Sequence, residues 1–295
     1  MQPLTVPPGI SDITATPMPA QRDSWEQQLL DDPDLLRDMA GQLGRPFHIM
    51  YPARVTRNIR GFQQVFAQSG VTGDIYYGKK ANKSPSVVRA RAETGVGVDV
   101  SSCEEFRAAL RGGIRGMDPM VTGPTKSDEL LRMSATYGHR LRTSGIRLSI
   151  EPGRALLDRV GCTVFRIQGV KVRLAHEIPY IILTVDGTSP SLSEQWFDSE
   201  YLPDPALWPP YPSTVTPTCV GGSSCLETDM LSRRRIPLPR AAITDDLLIY
   251  PNTGGYQMDS NESRAHGLPL PPKIILRHST SDGLFDREIE EPCET

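Results

Sequence analysis

Residues 75–82 read IYYGKKAN. The first four complete a strand that begins at Asp74, and two lysines, Lys79 and Lys80, close it. A strand that ends in adjacent cations is either a solvated terminus or a site, because parallel βα-barrels carry their chemistry at the C-terminal ends of strands. The flanking sequence favours such an architecture. Residues 24–43 and 53–69 carry helical periodicity, 46–52 reads as a strand, and SPSVVRARAETG (84–95) reads as a helix capped by Ser84 with Pro85 at its first position. A strand at 96–102, a helix at 103–114, a strand at 118–124 and a helix at 127–137 follow. Strand and helix alternating at this spacing are the pattern of parallel βα units.

Beyond residue 158 the pattern turns to β, with CTVFRIQGVKVRL (162–174), YIILTVDG (180–187), DLLIYPN (246–252) and KIILR (273–277). The 27 prolines concentrate at 1–19, 203–217 and 268–272. The first cluster reads as a disordered tail, the others as strand-end connections. A formal charge of −3 gives no sign of a nucleic-acid partner, and no apolar run approaches the length that spans a membrane. The start lacks the basic and apolar regions of a secretory signal. Five scattered cysteines argue against a disulfide framework, and no metal-ligand spacing is present. The expectation is a cytoplasmic protein.

The segment Tyr77-Gly78-Lys79-Lys80-Ala81-Asn82 resembles the lysine motif of the fold-type III pyridoxal phosphate enzymes, in particular the ornithine and diaminopimelate decarboxylases. Further segments resemble that family in order along the chain. GVGVDVSSCEEF (95–106) aligns Gly95, Asp99, Ser102 and Glu105, TGPTKSDELL (122–131) resembles its G-P-x-K segment, and IEPGRALLDRVG (150–161) its E-P-G-R motif. CLETD (225–229) is similar to its cysteine loop, and PNTGGYQMDSNES (251–263) to its G-x-Y segment.

The resemblance implies an α/β plus β fold. A truncated (β/α) TIM-like barrel, alanine-racemase-like, is expected over 45–158. A C-terminal β-barrel or β-sandwich domain follows over 159–295, with 20–45 contributing, and 1–20 is a disordered tail. It implies pyridoxal 5'-phosphate as cofactor, an amino-acid substrate, decarboxylation and a homodimer, with no nucleic acid and no membrane. Lys80 is then the covalent anchor of the cofactor and Glu151 the partner of its ring nitrogen, since a carboxylate there raises the nitrogen's pKa. Gly153, Arg154 and Tyr256 face the phosphate, and Asp99 also lies at the cofactor. Cys225, from the neighbouring subunit, donates a proton, its thiol pKa being nearer neutrality than a hydroxyl's. Glu227 and Asp229 are substrate-side residues, Asp229 also shaping the loop. As an isolated residue Cys225 more often reads as a small buried hydrophobe, and the C-L-E-T-D context is what turns the reading to function. Family members acting on basic amino acids often place an acid directly after this cysteine. Here Leu226 follows and Glu227 comes one later, so a distal ammonium either meets Glu227 or is absent from the substrate.

The interval between motifs is short. With the lysine on the second of eight strands and E-P-G-R on the last, six units at roughly 30 residues each require about 180 residues. From Lys80 to Glu151 there are 71. The junction falls near 137–146, and the family's ring-stacking His segment and glycine-rich phosphate loop have no counterpart. Three readings follow: a pyridoxal-dependent amino-acid decarboxylase, a non-catalytic homologue that binds or regulates a partner, as antizyme inhibitor does, or a remnant without a stable fold. Retention of Lys80, Glu151, Arg154, Cys225 and Tyr256 together favours the first as ancestry.

Overall fold

The computed structural model describes residues 17–100, 108–109, 111–112, 119–120, 148–175, 178–192, 203–210, 216–238, 242–258, 267–278 and 285–290. The expectations for Ser102, Glu105, the 122–131 segment and the 137–146 junction fall outside these residues.

The helical pattern at 24–43 forms two helices, α1 (Ser24–Asp31) and α2 (Pro33–Leu43). The break lies at Asp32, because a residue before proline disfavours the helical region. Its backbone is extended, and its carboxylate accepts from the N–H groups of Asp34 and Leu35. Gly44, in the left-handed region at φ 60°, ends α2. Strand β1 (Phe47–Met50) and helix α3 (Ala53–Ser69) follow, then β2 (Gly73–Gly78), a 3-10 turn over Lys79–Ala81, and α4 (Pro85–Ala92) with Ser84 as its cap. Short strands β3 (Gly97–Asp99), β4 (Pro119–Met120) and β5 (Leu148–Ile150) come next.

Apart from 3-10 turns at Arg154–Leu157 and Ser189–Leu192, the elements described beyond β5 are strands: β6 (Gly161–Ala175), β7 (Ile178–Val185), β8 (Ala206–Trp208), β9 (Thr216–Gly221), β10 (Met230–Leu238), β11 (Leu247–Tyr250), β12 (Lys273–His278) and β13 (Phe285–Glu290).

Two sheets result. One is a four-stranded parallel sheet in the order β4-β3-β2-β5. The other has nine strands along β10-β9-β7-β6-β1-β12-β13, with β11 and β8 branching from β6. Strand β1, expected inside the barrel segment, instead lies antiparallel to β6 and parallel to β12 in the larger sheet. All four of its residues are buried, which suits a strand with a neighbour on each side. The parallel sheet therefore starts at β2. Lys80 follows its first strand and Glu151 its last, and these two strands pair directly. First and last strands are neighbours in a closed barrel, so this pairing is the barrel seam. Seven units, about 210 residues, would then separate them in a full barrel.

The two parts share a core. Met50, Met258 and Ile275, from the β half, pack with Tyr77, Val87, Val98 and Leu157. The N-terminal hairpin covers the large sheet with Trp25, Leu29, Leu36 and Met39. It is tied down by an ion pair between Asp23 and Arg54 (2.7 Å), both nearly buried, and by the Trp25 indole N–H donating to the Arg159 carbonyl (3.0 Å). No helix among the described residues is long and apolar enough to cross a membrane.

Burial pushes the Glu26 carboxyl from 4.5 up to about 7, while its oxygen accepts from the Asp23 N–H (3.0 Å). Burial likewise raises Asp186 to about 6. A carboxyl that holds its proton more tightly when folded contributes stability in full below its unfolded value, and loses it as pH rises through the folded value. The window for Glu26 is therefore about 4.5 to 7. Glu26→Gln keeps an acceptor and removes the buried charge. We predict that urea unfolding gives equal stability for variant and parent near pH 4. At pH 8 the variant gains up to about 3 kcal/mol. An identical gap at both pH values would refute the assignment.

Candidate functional site

The site is built at the C-terminal ends of β2, β3 and β5. Strand β2 stops at Gly78, and the 3-10 turn that follows is braced from beneath: the buried Tyr77 hydroxyl donates to the Asn82 carbonyl (2.7 Å). The two lysines of this turn differ in environment. Lys79 is 3% exposed, whereas the Lys80 side chain is 33% exposed and its Nζ lies 3.6 Å from Asp99 Oδ2. Asp99 is buried and sits opposite Gly78 in the β2–β3 register. The adjacent parallel strands thus deliver cation and anion to the same edge.

Glu151 follows β5, on the other side of β2. Its Oε2 is buried and has no hydrogen-bond partner among the described residues. A buried acceptor left unmade is costly, so it marks a place where a donor belongs. Gly153 lies against the Lys80 turn. A Cβ there would come 2.4 Å from the Tyr256 hydroxyl oxygen and 3.3 Å from Ala81 Cβ. Arg154 donates to the Gly255 carbonyl (3.0 Å), and its guanidinium lies 5.2 Å from the Tyr256 ring centroid. Tyr256 has φ 71°, an uncommon conformation for a bulky residue, of the kind that clusters at ligand sites. Its N–H donates to the Ala81 carbonyl (2.6 Å).

Asn82 holds these pieces together. It is fully buried; its amide donates to the Gly254 carbonyl (2.8 Å), and its Oδ1 accepts from the Ser84 N–H (2.9 Å). The motif contained Asn82, yet its sequence position gave no hint that it spans to a loop 172 residues away.

Lys80 and Asp99 thus form an ion pair, Gly153, Arg154 and Tyr256 pack together beside the lysine turn, and Glu151 follows the strand on the other side of β2. Cys225, Glu227 and Asp229 stand on the β9–β10 turn of the nine-stranded sheet. Asp229 is nearly buried. One carboxylate oxygen accepts from the Ser189 N–H (2.7 Å) and hydroxyl (2.8 Å), the other from the Ser224 N–H (3.0 Å). A Cβ on Gly222 would collide with that carboxylate. The turn is therefore a fixed scaffold that presents Cys225, Leu226 and Glu227 to solvent.

Residues 52–151 match the family model described as "Pyridoxal-dependent decarboxylase, pyridoxal binding domain". A diaminopimelate decarboxylase of Actinosynnema pretiosum is 32% identical over 153 residues, 49% of this chain and 31% of that protein. An uncharacterized protein of Sinorhizobium fredii is 43% identical over 140 residues, 46% of this chain and 30% of that one. The chain thus spans about a third of these curated relatives' length. Among solved structures, a diaminopimelate decarboxylase superposes with TM-score 0.67 at 15% identity, over 88% of this chain and 95% of that chain. The arginine decarboxylase of Paramecium bursaria Chlorella virus superposes with TM-score 0.67 at 12% identity, over 83% and 99%. Over residues 52–151 the chain is similar to the pyridoxal-dependent decarboxylases. Its fold follows theirs across both parts, a barrel followed by a sheet domain, with the barrel shortened between Lys80 and Glu151.

The Asn82 brace is open to direct test. Asn82→Ala leaves the Gly254 carbonyl and the Ser84 N–H without their partner in a buried setting. We predict a loss of about 2–4 kcal/mol in chemical denaturation. A change below about 0.5 kcal/mol, the range of neutral surface substitutions, would show that the brace is dispensable.

Proposed function

We propose that this chain holds pyridoxal 5'-phosphate at the C-terminal ends of β2, β3 and β5 and serves decarboxylation of an amino acid. The observation that carries the reading is the buried Glu151 oxygen without a partner, two strands from Asp99 with Lys80 between them. A protonated ring nitrogen supplies the donor that this oxygen lacks. The fit extends to Gly153, where any side chain would fill the space beside Tyr256 and Ala81.

Each residue then has a task. Lys80 is the point of covalent attachment, and Asp99 holds its ammonium at the strand ends. Glu151 keeps the ring nitrogen protonated. Gly153, Arg154 and Tyr256 face the phosphate, which suits a guanidinium and a hydroxyl. When bound, the cofactor supplies an electron sink for the charge left at Cα as carbon dioxide departs. Cys225, exposed on its rigid turn, returns a proton to Cα in the site of a second copy, so the working form is a homodimer. Glu227 meets the distal end of the substrate, and Asp229 fixes the turn that carries both. The five scattered cysteines support a cytoplasmic setting.

A second reading, a non-catalytic homologue acting as a binding or regulatory protein, is favoured by one observation. The parallel sheet has four strands among the described residues, with 71 residues from Lys80 to Glu151.

Absorption spectra with added pyridoxal phosphate separate these readings. The expected result is a visible band that borohydride fixes onto Lys80, absent from Lys80→Ala, with affinity at least tenfold weaker in Glu151→Gln. Equal bands in parent and Lys80→Ala would overturn the cofactor site. Carbon dioxide release from a panel of amino acids then decides turnover: binding without release assigns the second reading.

A further inference from the structure

Strand β13 contributes little to either core. Residues 286–289 are exposed, and only its two ends turn inward. At one end, Phe285 stacks on His278, with ring centroids 5.1 Å apart. At the other, Glu290 stays paired with Lys273 in the nine-stranded sheet, and its side chain reaches the start of α4 in the barrel part. Its side chain is 12% exposed. Both carboxylate oxygens are engaged: Oε2 accepts from the Ser84 hydroxyl (2.5 Å), and Oε1 accepts from the Ser86 N–H (3.2 Å) with the Arg89 guanidinium at 3.4 Å. Ser84 and Ser86 are buried, and their hydroxyls lie 2.6 Å apart. An anion at a helix N-terminus is favoured by the unpaired N–H groups and the helix dipole.

This contact continues into the lysine turn. The Ser84 N–H donates to Asn82 Oδ1 (2.9 Å), and the Asn82 N–H donates to the Lys79 carbonyl (3.2 Å), closing the turn that carries Lys80. We propose that Glu290 is a positioning residue for Lys80: the last strand of the β domain is a clasp that holds the start of α4, and through Ser84 and Asn82 the turn that presents the lysine. The proposal rests on the reading of Lys80 as the cofactor lysine. It predicts that a residue 210 positions away, acting through Ser84 and Asn82, controls the rate of attachment.

The test is pyridoxal phosphate labelling of the full chain, quenched with borohydride over time, with Lys80 quantified by peptide mapping against the exposed Lys171. Glu290→Ala is expected to slow Lys80 labelling at least fivefold with Lys171 unchanged, and Glu290→Gln, which keeps one acceptor oxygen, to fall between. Glu288→Ala, on the same strand as Glu290, breaks the exposed pair with Arg277 of β12; it is the control and is expected to label like the parent. Parental Lys80 labelling in both Glu290 variants overturns the proposal. So does an equal loss in Glu288→Ala, which would mean that any weakening of β13 suffices. Should the parent itself show no preference for Lys80, the cofactor reading fails, and amide exchange decides the clasp alone. Faster exchange at Ser86, Val87 and Val88 in Glu290→Ala, but not in Glu288→Ala, supports it; unchanged exchange overturns it.

Discussion

Direct parallel pairing of β2 with β5 is the constraint on which the rest depends. It places the strand ending at the lysine turn beside the strand ending at Glu151, so a buried acceptor and a cation share one edge although 71 residues separate them. Shortening a barrel anywhere between its first and last strand leaves this seam intact, because the seam needs none of the strands in between. With β3 pairing on the far side of β2, Asp99 joins the same edge.

The seam is held from the β half of the molecule. Asn82 and Tyr256 join the lysine turn to the 251–258 loop through the Gly254 and Ala81 carbonyls. Met50, Met258 and Ile275 complete the core beneath it. A parallel sheet needs cover on both faces. Here part of that cover comes from residues on β1, β12 and the loop after β11, so the two halves stabilise one another. Glu290 adds a polar tie on the same boundary.

The Cys225 turn is organised on different terms. Its order comes from Asp229, whose oxygens satisfy three donors from residues 189 and 224. That network leaves Cys225, Leu226 and Glu227 facing outward.

The sequence by itself determined the local elements and the motif chemistry. Ser84-Pro85 predicted the start of α4, the IYYG run predicted β2, and Lys80, Glu151 and Arg154 stood out because their neighbours within four residues make a recognisable pattern. Such features depend on φ/ψ preferences and short-range hydrogen bonds, which sequence spacing encodes. Only the tertiary structure decided the long-range matters. It moved β1 into the nine-stranded sheet, since periodicity shows that a strand is buried but not which neighbours bury it. It separated the two lysines, burying Lys79 and leaving Lys80 beside Asp99, a distinction set by which side of a 3-10 turn faces the core. It also joined Glu290 to Ser84 across 206 positions, because a surface glutamate carries no local sign of the helix end it will reach when two sheets pack together.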